Sequence, residues 1–416
     1  MNMTRRKTIA YSVLGAIAAF LIATTVLTQD ARGAEANFDD HAYKLSKGTV
    51  LERLSGVGFS KGSHGRTWRV RCDRGEKLSR ALRQARENDT ISFRGTCNES
   101  VVIKTDNITL TGIAGATIDG SHEASEAVVL IDGARGFELA NFTVQYGADQ
   151  GVLATHQAQG SLRELLIQHN GTVGLSVDRS HLEIVDLLLD NNTTGGMDAY
   201  TGSTIVAKGK LSANNNGGDG LAVNGKTFFE LRGATVTASG NAGSGISIIN
   251  DSRLQIFSFP EAQGSSIHAD NNGFAGIGIL GSELGVVGSQ YFGSGANVIS
   301  ASNNAIFGFF APAGAILSPH ATAQFNAQGN GVGMLLEDGA SILIVGGLNL
   351  TQNGAGLSAH GAGTLTVVSV PPNPSNVDQN QIDFDLGFGT RVTVDSVAFT
   401  SVSCDDTVLT RGISCP

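Results

Sequence analysis

From residue 151 onward, apolar and polar side chains alternate in short bursts. After Gly174, Leu175 and Val177 share one side of the chain while Ser176 and Asp178 share the other, and after Gly245 the residues Ile246 and Ile248 oppose Ser247. A period of two is that of a strand with one buried face. A second apolar run follows most bursts, such as "HLEIVDLLL" (181–189), "FFELRGATVTA" (228–238) and "SILIVGGLNLT" (341–351). The whole unit repeats. The glycine before each burst falls at 151, 174, 196, 220, 245, 276, 308, 333 and 356, which gives spacings of 23, 22, 24, 25, 31, 32, 25 and 23 residues. Two or three short strands in such a unit, with no room for a helix, describe one coil of a parallel β-solenoid. A leucine-rich repeat has a similar length, but its Leu/Asn consensus is absent.

Stacking coils at the strand spacing of about 4.8 Å turns equivalent positions into columns. One column holds Asn170, Asn192, Asn216, Asn241, Asn272, Asn304, Asn330 and Asn353. Asparagine tolerates left-handed dihedrals, and its amide can bond both backbone and the next asparagine. The adjacent glycines are expected to accept positive φ. The column therefore predicts a structural ladder. A calcium-binding Gly/Asp repeat would need aspartate in unit after unit, and only Asp219 takes that place.

The entry segment differs. "TWRVRC" (67–72) reads as a strand, and "EKLSRALRQAREND" (76–89) places Leu78, Ala81, Leu82 and Ala85 on one helical stripe. Short strands follow over residues 90–120. With its strand, helix, Cys72/Cys97 pair and repeats, the chain resembles the right-handed parallel β-helix proteins of the pectate-lyase-like superfamily over residues 66–400. That resemblance implies an all-β, single-stranded right-handed parallel β-helix. It further implies a helix that caps the first coil, and a saccharide-binding surface on the outward face of the strands that follow the glycines.

Charge and cysteines set the compartment. Basic Arg5, Arg6 and Lys7 precede an apolar run (9–27), and Ala34-Glu35-Ala36 offers a cleavage site. Residues 1–36 thus read as a signal peptide for secreted or periplasmic residence, the alternative being an uncleaved anchor. The formal net charge is −9 for the whole chain, and without residues 1–36 it is −11, with 24 Lys/Arg against 35 Asp/Glu. Such a surface repels nucleic acid and acidic membranes. Cys72 lies near Cys97 and Cys404 near Cys415, and pairing in that order would staple both ends of the fold. The expected organisation is a linker at 37–65, an N-terminal cap at 66–100, the β-helix at 101–400 and a disulfide-closed tail at 401–416. A monomer is expected.

Candidate chemistry concentrates where the outward positions are polar. Asp178 and Asp198 lie on adjacent coils, with Tyr200, Arg179, His156 and Lys226 around them. One coil and two residues separate the two aspartate Cα atoms by roughly 8 Å. Two carboxylates at that spacing suit a shared Ca2+ ion or an inverting glycosidase. A uronate lyase would instead neutralise the substrate carboxylate with a cation, Arg179 or Lys226, and use Tyr200, His156 or Lys226 as base. The catalytic motifs of polygalacturonases and alginate epimerases are missing. The sequence therefore supports an exported protein that binds or modifies extracellular or cell-wall polysaccharide, foremost as a uronate lyase. A hydrolase, an epimerase and a non-catalytic glycan- or surface-binding solenoid are the alternatives. The long coils add "FSFPEAQGSS" (257–266) and "LGVVGSQYFGSGANV" (284–298), whose aromatics would stack on sugar rings or shield the rod's edges.

Overall fold

A computed structural model describes residues 65–121, 125–258, 264–288, 297–312, 314–319, 323–369 and 375–415. The signal-peptide and linker expectations fall on residues 1–64, outside the described residues. So do Phe259, Tyr291 and Phe292 of the long coils.

Each unit folds as one coil. The alternating bursts become the strands of a 13-stranded sheet, from Val101–Ile103 to Val402–Cys404, and every described pairing in it is parallel. The second runs build a 22-stranded sheet around the other sides. Ser341–Thr351 shows how it turns the corner. Its first half pairs with Ile316–Pro319 and its second with Ala323–Gln328. The result is the expected parallel β-helix, of about 13 turns.

Alternation decides what goes inside. Leu175, Val177, Met197, Ala199, Leu221, Val223, Ile246 and Ile248 are all within 1% of complete burial and join one continuous core along the rod. Stacking makes that core one-dimensional, since each coil buries its apolar face only against its neighbours.

The asparagine column forms the predicted ladder. From Asn192 on, each Oδ1 accepts the backbone N–H and the Nδ2–H of the asparagine one coil before it, as with Asn216 on Asn241 (both 3.0 Å) and Asn241 on Asn272 (3.0 and 3.1 Å). The Nδ2 of Asn241 also reaches the Ala213 carbonyl at 3.0 Å. The column runs one rung further than expected, to Asn380, whose N–H and Nδ2 donate to Asp383 Oδ1. Asp383 pairs with Gly356, so it stands where the earlier coils have glycine. Its other oxygen takes the N–H groups of Thr400 and Ser401, and the carboxylate ends the ladder.

Two details differ from expectation. Left-handed φ falls one residue before the column, at Asn191, Asn215, Asn271 and Asn303, and the glycines after it do not have positive φ. They are glycine for lack of room. A Cβ on Gly245 would lie 2.5 Å from the Ala238 carbonyl oxygen and 2.8 Å from Asn272 Nδ2. The helix, expected over 76–89, spans only Leu78–Gln84. Glu99 accepts the N–H groups of Leu78 and Ser79 at its start, and Asp89 takes the N–H of Arg86 just beyond its end, drawing the chain into the next turn. Leu78, Ala81 and Leu82 are buried as the stripe requires.

Cysteines pair as Cys72–Cys97 and Cys404–Cys415, with Cα separations of 5.0 and 5.6 Å. No helix among the described residues is long and apolar enough to cross a membrane.

Candidate functional site

The outward face of the 13-stranded sheet changes character along the rod. One stacked row runs Leu153, Ser176, Asp198, Ala222, Ser247, Gly278, Phe310, Leu335. Two residues further along the strands, Asp132, Thr155, Asp178 and Tyr200 form a second row. Polar groups occupy the early coils. Across the coils from Phe274 to Leu335 the face is apolar: Phe307 stacks on Phe310 at 4.8 Å, Phe274 meets both edge-on, and with Leu335 they make a cluster separate from the core.

Within the polar stretch, the six residues singled out by sequence divide into linked groups. Asp178 is buried, and its Oδ2 accepts from Arg179 Nη2 (2.8 Å), Arg179 Nε (3.1 Å) and Thr155 Oγ1 (3.2 Å). His156 turns the other way, to Asp132. Its Nδ1 lies 2.7 Å from Asp132 Oδ1, and Lys104 Nζ lies 2.7 Å from Oδ2 of the same carboxylate. Hydrogen bonds from Lys104 first and then from His156 hold Asp132 below its ordinary pKa. Lys226 is exposed on a left-handed turn, with no ion pair among the described residues.

Asp198 differs from both acids. It pairs with Ser176 on one side and Ala222 on the other, which puts it diagonal to Asp178 as the spacing predicts. No hydrogen bond or ion pair to its carboxyl is seen among the described residues. Burial, and then the charge of Asp219, push its pKa up to about 6. Tyr200 stands in the next row, its hydroxyl pushed up to about 12 by burial first and then by Asp178 and Asp198. At neutral pH the phenol is a neutral donor beside a carboxyl that changes charge in mildly acidic solution.

No protein-family model and no curated protein matches the chain. Among solved structures, pectate lyase Pel9A is similar over 83% of this chain and 81% of its own, at 12% identity and a TM-score of 0.34. The A-module of the Azotobacter vinelandii mannuronan C-5 epimerase AlgE4 is similar over 84% and 93%, at 12% identity and 0.34. An alginate lyase from Paenibacillus sp. str. FPU-7 is similar over 74% and 97%, at 13% identity and 0.29. At these values no site residue carries over from those proteins to this one.

Three further residues belong to the site. Asp219 accepts Ser244 N–H and Ser247 Oγ–H, each at 2.7 Å, and burial pushes its own pKa up. Its place outside the repeat's demands was the sequence signal. Asp132 ends a strand in a coil without the marker glycine and carried no signal, whereas Thr155 stood at an outward strand position that opens the polar stretch.

The donor set bears on the expected cation. Among the described residues, the one group that brings three candidate ligand atoms together is Cys72, Cys97 and Glu99, whose cysteines are a disulfide. The Arg179 guanidinium lies 2.8 Å from Asp178 Oδ2, so a Ca2+ ion bound at that oxygen would compete with it.

Proposed function

We propose that the chain is an exported protein that binds a polysaccharide along the polar coils of the 13-stranded sheet and cleaves it there, with Asp198 as general acid. The carrying observation is a carboxyl that no described side chain engages, raised to about pH 6, beside a neutral phenol. A general acid works best when its pKa lies near the working pH, and burial is the usual way to raise a carboxyl to that range.

Asp178 supplies the complementary group. Arg179 and Thr155 fix its Oδ2 by hydrogen bonds, and this held carboxyl would activate a water molecule. Its Cα lies roughly 8 Å from that of Asp198 by strand geometry, and carboxyl groups roughly 6.5–9.5 Å apart leave room for that water in inverting hydrolysis. Tyr200 would donate to a sugar oxygen between them.

Lys226 favours a second reading, β-elimination on a uronate. An exposed ammonium without an acidic partner among the described residues can neutralise a uronate carboxylate beside the same acid–base groups. Export is supported by the N-terminal pattern of basic and apolar residues and by two disulfides, which persist in oxidising compartments.

Incubation with a panel of neutral, amino-bearing and uronate polysaccharides, with and without calcium, separates these readings. New reducing ends without unsaturation support hydrolysis, and unsaturated ends support elimination. Binding without either product leaves a glycan-binding solenoid and overturns the catalytic proposal.

A further inference from the structure

A second titratable cluster lies at the far end of the same sheet, apart from the Asp198 site. Leu336 pairs with Ala359, Ala359 with Leu386 and Leu386 with Cys404. The next residues therefore stack as Glu337, His360, Gly387 and Asp405, one per coil. Asp385, two residues before Gly387, lies diagonal to the imidazole, with Oδ2 3.7 Å from Nε2. The glycine matters here. A Cβ on Gly387 would lie 2.9 Å from both His360 Nδ1 and Asp405 Oδ2, so its absence lets the ring and a carboxylate two coils away face each other. Nδ1 is buried and has no hydrogen-bond partner.

We propose that His360 is a pH-sensitive latch for the C-terminal coils. Charged, it ties the coils of Ile382–Leu386 and Val402–Cys404 to that of Ala355–Ala359 through Asp385 and Asp405. Neutral, it leaves Glu337, Asp385 and Asp405 facing one another without a counter-charge, and the last two coils open locally. The Cys404–Cys415 disulfide does not replace the latch, because both cysteines follow the Ile382–Leu386 coil and close the tail on itself.

The charged groups acting on the ring come from each neighbouring element. Asp385 raises the His360 pKa most, through its side-chain contact, while burial opposes it and Glu337 and Asp405 add to the rise. Glu337 is itself raised by burial first, then by Asp338, and Phe388 covers the ring at 5.9 Å between centroids. A raised histidine contributes stability that is complete below its ordinary value of 6.5 and is lost as pH climbs through the folded value. The opposite corner responds differently. Asp383 is lowered despite its burial by hydrogen bonds from Thr400 and Ser401, so it stays ionised across that range.

Native-state amide hydrogen exchange tests the latch. Rates for residues 382–411 would be followed from about pH 6 to about pH 9, corrected for intrinsic chemistry and referenced to Val173–Tyr200. In the unmodified protein, protection of 382–411 falls by up to about tenfold for each unit by which the folded pKa exceeds the unfolded one. In His360→Gln it is already low at the acid end and flat. Unchanged protection in the unmodified protein, or an unaltered pH response in His360→Gln, overturns the proposal. Glu337→Gln serves if that variant fails to fold: removing one acid moves the midpoint to lower pH, and an unmoved midpoint counts against the latch.

Discussion

Asp219 holds the hydroxyl of Ser247 at 2.7 Å across one coil, and its charge bears on Asp198 on the coil before it. Fixed by Ser244 and Ser247, this carboxylate is a stationary charge near a carboxyl that no described side chain engages. Asp219→Asn removes that charge while keeping an oxygen to accept from Ser247. The pKa of Asp198 is expected to fall from about 6 toward its ordinary 3.8. Carbon-13 titration of the Asp198 carboxyl reads this without any substrate, and an unchanged midpoint would show that burial alone sets the value.

Asp198 also costs stability. Its folded pKa lies above its unfolded one, so the fold binds the proton more tightly, and the penalty for ionising grows as pH rises from 3.8 through about 6. Asp198→Asn should therefore stabilise the protein above pH 6 by about 1–3 kcal/mol, with no gain below pH 4. Urea unfolding at the two ends of that range checks the sign. Equal effects at both would mean that the ionised group is not penalised.

Asn241→Ala removes the acceptor of Asn216 N–H and Nδ2–H and the donor to Ala213 O. Several buried polar groups lose their partners together, which should cost at least about 3 kcal/mol in urea unfolding. A loss under about 1 kcal/mol would mean that water replaces the amide.

Reducing Cys72–Cys97 frees a loop with a sequence separation of 25. Roughly 3.5 kcal/mol of stabilisation should be lost by the chain-entropy relation. Replacing both cysteines with serine and comparing unfolding midpoints tests it, and no change would show that the packing of Leu78 and Leu82 suffices without the bridge.

The solenoid was legible because its signals are periodic. Alternation after each marker glycine set the buried face, and the asparagines marked every coil from 170 to 353. Asn380 escaped because Asp383 stands in the glycine position there, a substitution allowed where the ladder ends. The site was less legible. The Asp178–Asp198 diagonal follows from register alone, whereas the pairing of His156 with Asp132 depends on a coil that lacks the marker glycine. The charge state of Asp198 depends on burial and on Asp219, neither of which has a one-residue signature.

If Asp198 transfers a proton during cleavage of a polysaccharide, its replacement by asparagine should abolish turnover without loosening binding. The direct measurement is turnover of the best substrate from the panel by the unmodified protein and by Asp198→Asn, with circular dichroism and glycan affinity recorded for both. Loss of roughly 100-fold or more in kcat, with affinity and spectrum kept, is the predicted result. Undiminished turnover by Asp198→Asn would contradict it.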